Sequence, residues 1–176
     1  FGVEVLGAHN PALDAEVMAM AMEVYNRLGL KGLELHINSL GCPECRPNLR
    51  KNLQDYFRPN LDKLCPTCQR RFERNPLRIL DCKNEKCGQF AAGAPTMLDS
   101  HCDHCADYFA EVRQNLELMG IDYIIDHKLV RGLDYYTHTA FEVMAEGIGA
   151  QSSVGGGGRY NGLVEACGGP TTPGIG

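Results

Sequence analysis

Eight cysteines occur in four closely spaced pairs, a spacing at which thiolates can bind one metal ion together. In chain order the pairs are Cys42 with Cys45, Cys65 with Cys68, Cys82 with Cys87, and Cys102 with Cys105. The chain has nine cysteines and no secretory signal, which indicates a reducing compartment and a metal or redox role rather than disulfides. The ninth, Cys167, stands alone, and we expect it to be buried or half-buried.

The paired cysteines lie in a segment that looks like an inserted module, leaving a sheet near Gly41 and returning near Ile121. An insertion must come back to where it left, so its first and last pairs should meet. Four thiolates leave no open position for water, so a Zn²⁺ ion bound there would be structural. We therefore predict two nested sites, namely Cys42, Cys45, Cys102 and Cys105 in one, and Cys65, Cys68, Cys82 and Cys87 in the other.

Two alternatives to these zinc sites remain open. The thiols could be reduced and unliganded, in a module that no longer needs a metal. His101 and His104 flank the last pair and could replace a cysteine ligand, or they could be ordinary surface histidines.

A second group of polar residues precedes an apolar run that predicts a strand. The planar guanidinium of Arg131 could bind a carboxylate and a phosphate oxygen together, or it could pair with Asp134 to hold the loop. Tyr135 and Tyr136 should point to opposite faces of a strand, one towards the core and one towards a site. In a regular strand, the side chains of Arg131 and Tyr136 would point to opposite faces. Gly132 would therefore have to permit a bulge or turn for both to face one pocket.

Four consecutive glycines, Gly155–Gly158, invite comparison with a phosphate-binding loop. No Lys-Ser or Lys-Thr pair follows them, and Arg159 and Tyr160 occupy the place where a helix should begin. The glycines instead indicate a strand that bends, or one whose backbone is closely approached by another group.

The remaining pattern predicts an α+β fold with a mainly antiparallel sheet and helices behind it, since strands and helices do not alternate as repeated βαβ units. Asn10 and Pro11 should begin a helix that ends before Gly29. The predicted core face of that helix consists of Leu13, Val17, Met20, Ala21, Val24 and Leu28. The predicted strands are Phe1–Val5, Leu33–Ile37, Tyr123–Asp126, Tyr135–Met144 and Gln151–Tyr160. The expected organisation is a core of residues 1–41 and 119–176 with a mainly helical, cysteine-rich insertion of residues 42–118.

The formal net charge of −5 argues against a protein that coats nucleic acid nonspecifically. Between Cys42 and Leu80, however, nine Lys/Arg stand against four Asp/Glu, a local charge of +5. Such a basic module could dock a polyanion at one place, or it could be a solvated charged face. No apolar run approaches the length of a membrane span, and we expect a cytoplasmic protein without a membrane partner.

Two motifs resemble those of a known family. The run Leu129–Thr137 looks like the first histidine-specific motif of histidyl-tRNA synthetases. The run Gly157–Val164 resembles their second such motif, with Asn161 where aspartate is common. Phe1–Val5 looks like the end of class II motif 2, and Asn38–Gly41 matches the segment before the family's insertion domain.

This resemblance implies a class II synthetase-like antiparallel sheet flanked by helices, and it implies roles for five residues. Arg131 would contact the histidine carboxylate and the ATP α-phosphate. Glu4 and Tyr136 would hydrogen-bond the imidazole, while Tyr135 and Tyr160 line the pocket. Histidine, ATP, Mg²⁺ and the histidine tRNA would be the ligands of a homodimeric enzyme that forms histidyl-adenylate and transfers histidine to tRNA. The insertion would approach the acceptor stem of the tRNA.

The resemblance covers part of a catalytic domain with its insertion, and both ends of the sequence look cut. We therefore expect this piece by itself to lack aminoacylation activity. Two other functions fit some of the same residues. One is a histidine-sensing regulatory paralogue of histidine biosynthesis, and the other is a nonenzymatic zinc-binding RNA module.

Overall fold

The structure is a computed structural model, and it describes residues 1–129, 135–147 and 153–176. Its described strands form one six-stranded sheet in the order β1-β6-β5-β4-β2-β3. They are β1 (Val5–Leu6), β2 (Glu34–Ser39), β3 (Ile124–Ile125), β4 (Thr137–Met144), β5 (Ser153–Arg159) and β6 (Gly174–Ile175). Neighbours are antiparallel except β2 and β3, which are parallel. The predicted α+β fold with a mainly antiparallel sheet is confirmed.

Helix α1, Pro11–Arg27, begins and ends where its sequence signals predict. The Asn10 side chain accepts a hydrogen bond from the Ala12 N–H at 2.9 Å, which satisfies one of the free donors of the first turn. Just beyond the helix, Gly29 has a φ of +86°, a left-handed conformation that glycine adopts at little cost. Helix α1 packs with the sheet in one hydrophobic cluster, the sheet core.

The buried face of α1 is displaced from the predicted one. Its buried residues are Asp14, Ala15, Val17 and Met18. Two residues of the predicted face are exposed, Met20 by 42% and Leu28 by 66%. Apolar residues surround most of this helix, so spacing alone could not distinguish adjacent stripes. The observed buried face includes a charged residue, Asp14. Its burial is possible because buried Arg159 pairs with it.

The insertion is mainly helical, as predicted. Its helices are α2 (Cys45–Phe57), α3 (Pro66–Arg74), α4 (Leu77–Leu80) and α5 (Glu85–Ala91), with 3₁₀ turns at Arg58–Lys63 and Leu98–Ser100. They enclose a hydrophobic cluster of their own, the insertion core, in which Leu49, Leu53, Phe57 and Phe72 pack with buried cysteines. The insertion therefore has an interior separate from the sheet core.

Helix α6, Asp103–Leu118, joins the two interiors. Its first turn carries Cys105, which belongs to the insertion core. Further along, Phe109, Val112 and Leu116 are buried in the sheet core together with residues of α1. Among the described parts of the chain, no helix is long and apolar enough to cross a membrane.

The glycine run lies inside strand β5, as the strand interpretation predicts, and not in a loop before a helix. A Cβ on Gly158 would lie 2.8 Å from the carbonyl oxygen of Thr139 and 2.8 Å from the ring of Tyr136. The glycine therefore permits an aromatic ring to lie directly against the strand. A short helix α7, Leu163–Ala166, follows β5.

Candidate active site and metal centres

A cavity of about 500 Å³ opens between α1, the end of β5 and the segment before β1. Glu4, Tyr135, Tyr136 and Tyr160, four residues that the sequence analysis singled out, all line it. Apolar side chains such as Val17 complete the wall. A mostly apolar cavity of this size with a few convergent polar groups is typical of a small-molecule site.

The carboxylate of Glu4 accepts a hydrogen bond from the hydroxyl of Tyr160. Burial, reinforced by this carboxylate, raises the pKa of Tyr160 above its ordinary value. The phenol therefore keeps its proton at neutral pH and serves as a donor. Because the two residues are 156 positions apart, this bond fixes the start of the chain against the end of β5.

Tyr135 and Tyr136 both line the cavity, so the expectation that one would face the core is wrong. Strand β4 begins only at Thr137, and the alternation of a strand does not apply to the residues before it. The two rings lie 4.8 Å apart, and Tyr135 also meets Tyr160 edge-on at 6.2 Å. Three tyrosines thus form one aromatic wall.

Arg131, the predicted charge-stabilising residue, and Gly132, predicted to permit a bulge, lie outside the described residues. Their roles stay predictions.

A buried ion pair between α1 and the end of β5 was not found from the sequence. Arg159 and Asp14 are both fully buried and paired. Asp14 also accepts hydrogen bonds from the hydroxyl of Thr139 at 2.6 Å and from that of Tyr108 at 3.2 Å. Arg159 further donates to the carbonyl oxygen of Ala8 at 3.1 Å. The sequence offered one sign of this pair, because Asp14 is a charged residue next to the apolar face of a helix. Its partner Arg159, however, is 145 residues away.

The eight paired cysteines form two groups of four. We call Cys42, Cys45, Cys102 and Cys105 the junction cluster, and Cys65, Cys68, Cys82 and Cys87 the distal cluster. In each, the sulfur atoms lie within 4.8 Å of one another. Sulfurs bound to one Zn²⁺ at about 2.3 Å in a tetrahedron are about 3.8 Å apart. The observed separations include 3.6 Å for Cys42–Cys45 and 3.9 Å for Cys42–Cys102 and Cys65–Cys82.

Backbone groups around both clusters favour thiolates. The N–H of Cys102 donates to the sulfur of Cys45 at 3.1 Å, and the N–H of Cys65 to that of Cys87 at 3.3 Å. The backbone of Cys68 lowers the pKa of Cys65 to about 7, whereas burial raises the pKa of Cys68. Four such sulfurs cannot all ionise side by side unless a cation offsets their charge. Both donor sets therefore fit a tetrahedral divalent metal.

The two histidines near the last cysteine pair differ in their surroundings. His101 lies 2.7 Å from the hydroxyl of Ser39 through its Nε2. His104, Cys105 and His138 form a further group whose ligand atoms lie within 4.8 Å of one another. Cys167, by contrast with its expected burial, is exposed, because the short helix α7 does not pack it against either interior.

Comparison with known proteins gives the class and then the family. An antiparallel sheet backed by helices and interrupted by a helical insertion is the architecture expected of a class II synthetase domain. A family model described as histidyl-tRNA synthetase matches residues 1–176. The chain belongs to the histidyl-tRNA synthetase family.

Individual relatives agree with this assignment. The histidine–tRNA ligase of Desulforamulus reducens is 65% identical over 100% of this chain and 42% of its own length. The apo histidyl-tRNA synthetase of S. aureus is 42% identical, with a TM-score of 0.75 over 99% of this chain and 43% of that one. A structure described as an ATP phosphoribosyltransferase regulatory subunit/histidyl-tRNA synthetase from Bacillus halodurans C shares the fold at 20% identity, with a TM-score of 0.60, over 99% of this chain and 49% of that one. The chain thus spans less than half the length of these relatives.

Proposed function

We propose that this chain is the part of a cytoplasmic, homodimeric histidine–tRNA ligase that binds histidine and carries the insertion. The observation that carries the proposal is the convergence of Glu4, Tyr135, Tyr136 and Tyr160 on one cavity, in a chain whose family is histidyl-tRNA synthetase. The ligase joins histidine to its tRNA with ATP as the source of energy.

The cavity suits an imidazole ring. A neutral imidazole has one N–H donor and one acceptor nitrogen. The carboxylate of Glu4 supplies an acceptor and the hydroxyl of Tyr136 a donor, while the aromatic wall excludes water. A side chain lacking the two ring nitrogens would leave these groups unpaired, which is the strongest form of discrimination available to a binding site.

The reaction then proceeds in two displacements. A carboxylate oxygen of histidine attacks the α-phosphorus of ATP, pyrophosphate leaves, and histidyl-adenylate forms. A hydroxyl of the terminal adenosine of the tRNA next attacks the carbonyl carbon, and AMP leaves. Arg131 would stabilise the negative charge on the α-phosphoryl oxygens during the first step. Mg²⁺ would supply further charge neutralisation on the ATP phosphates.

The two cysteine clusters would each bind one structural Zn²⁺. Sulfur separations of 3.6–3.9 Å and the N–H···S bonds support this proposal. Four thiolates per ion leave no position for substrate, so the metal would hold the insertion in shape rather than take part in the reaction. The insertion, with its locally positive charge, would then present a rigid surface to the tRNA acceptor stem.

Tyr160→Phe in the full-length ligase tests the proposed pocket. The change keeps the ring but removes the hydroxyl that donates to Glu4, so the carboxylate loses a partner. We expect the KM for histidine in ATP–pyrophosphate exchange to rise about tenfold or more. Tyr56→Phe is the matched control, since its hydroxyl donates to the carbonyl oxygen of Phe90 within the insertion.

Equal histidine KM values for the two variants would contradict the pocket assignment. If the unaltered ligase showed no histidine-dependent exchange but stimulated a phosphoribosyltransferase, the regulatory alternative would be correct instead.

A further inference from the structure

We infer that Arg46 is a positioning residue for the histidine pocket, through which the junction cluster holds the main chain of Tyr136. The inference rests on the proposed function. It gives one arginine of the insertion a part in histidine binding, although the proposed histidine pocket lies outside the insertion.

Arg46 connects the two regions directly. It follows Cys45, a member of the junction cluster, in the first turn of α2. Its Nη2 donates to the carbonyl oxygen of Tyr136, and its Nε donates to that of Leu40 at 3.4 Å. Arg46 is half-buried and Tyr136 lines the cavity. Because its two donors bind two different carbonyl groups, one guanidinium ties the main chain at Tyr136 to the main chain at Leu40.

The same junction is tied by backbone hydrogen bonds. The N–H of Leu40 donates to the carbonyl oxygen of His138 at 2.6 Å, and the N–H of His138 to that of Gly41 at 2.9 Å. His138 has a φ of +50°, which is strained for a residue with a side chain, so its surroundings must hold it in place. Its Nδ1 lies 3.7 Å from the sulfur of Cys105, a second member of the junction cluster.

Two routes therefore run from the junction cluster to the pocket segment. One runs from Cys45 through Arg46 to the carbonyl of Tyr136, and the other from Cys105 to His138, two residues further along. The ring of Tyr136 lies against Gly158 on the other side. A shift of its carbonyl would accordingly move the hydroxyl proposed to meet the imidazole.

The chain offers a matched control on the same helix. Arg50, one turn further along α2, also donates its Nη2 to a main-chain carbonyl oxygen, that of Glu73. That contact lies wholly within the insertion. Arg50 thus has the same residue type, the same helix and the same kind of bond, without the link to the pocket.

The experiment compares Arg46→Met, Arg46→Lys and Arg50→Met in the full-length ligase. Methionine keeps an aliphatic stem and removes the donors, while lysine keeps one charged donor. We expect Arg46→Met to raise the histidine KM in ATP–pyrophosphate exchange about tenfold, with a smaller change in the ATP KM. Arg46→Lys should recover part of the loss, and Arg50→Met should stay within about twofold of the unaltered ligase.

Metal content and melting temperature separate positioning from damage to the fold. Arg46→Met should retain the zinc content and the melting temperature of Arg50→Met. Cys102→Ser, which removes a thiol of the junction cluster, should instead lower the zinc content and raise the histidine KM. A histidine KM of Arg46→Met equal to that of Arg50→Met would overturn the inference alone. An unaltered ligase without histidine-dependent exchange would overturn the proposed function and this inference with it.

Discussion

At the scale of single residues, the buried charged pair between α1 and the end of β5 is costly to break. Arg159 is fully buried, and its charge is offset by Asp14. Removing one member of a buried pair leaves the other uncompensated, which costs far more than the pair itself contributes. The pair also joins α1 to the last residue of β5, directly before Tyr160 of the aromatic wall.

Asp14→Asn should therefore destabilise the protein strongly. The amide keeps the size of the side chain but leaves the buried Arg159 guanidinium without a counter-charge, at a cost of about 3–5 kcal/mol in the free energy of unfolding. Denaturant unfolding of the full-length protein measures this loss of stability. Glu16→Gln, an exposed substitution on the same helix, is the control, and a difference between the two below about 1 kcal/mol would contradict the assignment.

At the scale of elements, local signals predicted more than long-range ones. The cap at Asn10, the glycine after α1 and the strand through Gly155–Gly158 follow from residue types that act over a few positions. Asp14 and Arg159 could not be paired in the same way, because nothing in one segment specifies a partner 145 residues away. The grouping of the cysteines could be predicted because an insertion has to return to its point of departure.

At Gly158, strand β5 presents bare backbone to the ring of Tyr136. A single added methyl group should disturb this contact. In Gly158→Ala the new Cβ would lie 2.8 Å from both the Thr139 carbonyl oxygen and the Tyr136 ring. The backbone cannot yield readily, so the ring should move, with a loss of about 1–3 kcal/mol in stability and a raised histidine KM. Gly88→Ala, in α5 with nothing within 4 Å, should leave KM unchanged, and equal effects of the two changes would count against this role for β5.

At the scale of the whole molecule, two interiors are joined by α6 and the junction cluster. The sheet core is built from aliphatic and aromatic side chains, whereas the insertion core includes four buried cysteines, Cys45, Cys68, Cys87 and Cys105. The stability of the insertion should consequently depend on what the thiols bind, while that of the sheet core should not.

Metal analysis of the anaerobically purified full-length protein should find two zinc ions per chain. Removal of the metal by a chelator should increase hydrogen exchange in α2–α5, because the insertion core loses its cross-links, while β2 and β4 stay protected. A metal content near zero, or identical exchange before and after chelation, would leave the thiols as unliganded packing residues.

The parallel pairing of β2 with β3 has a consequence for chain length. His36 pairs with Ile124 in this parallel register, so everything between those strands is a single crossover excursion, which leaves at the end of β2 and returns at the start of β3. The entropy lost in closing such an excursion grows only with the logarithm of its length, by about 0.6 kcal/mol for each doubling. Residues can therefore be added in exposed turns of this segment, away from the insertion core, at little entropic cost. Within the described chain, the short segments that enter and leave the excursion tolerate such changes least.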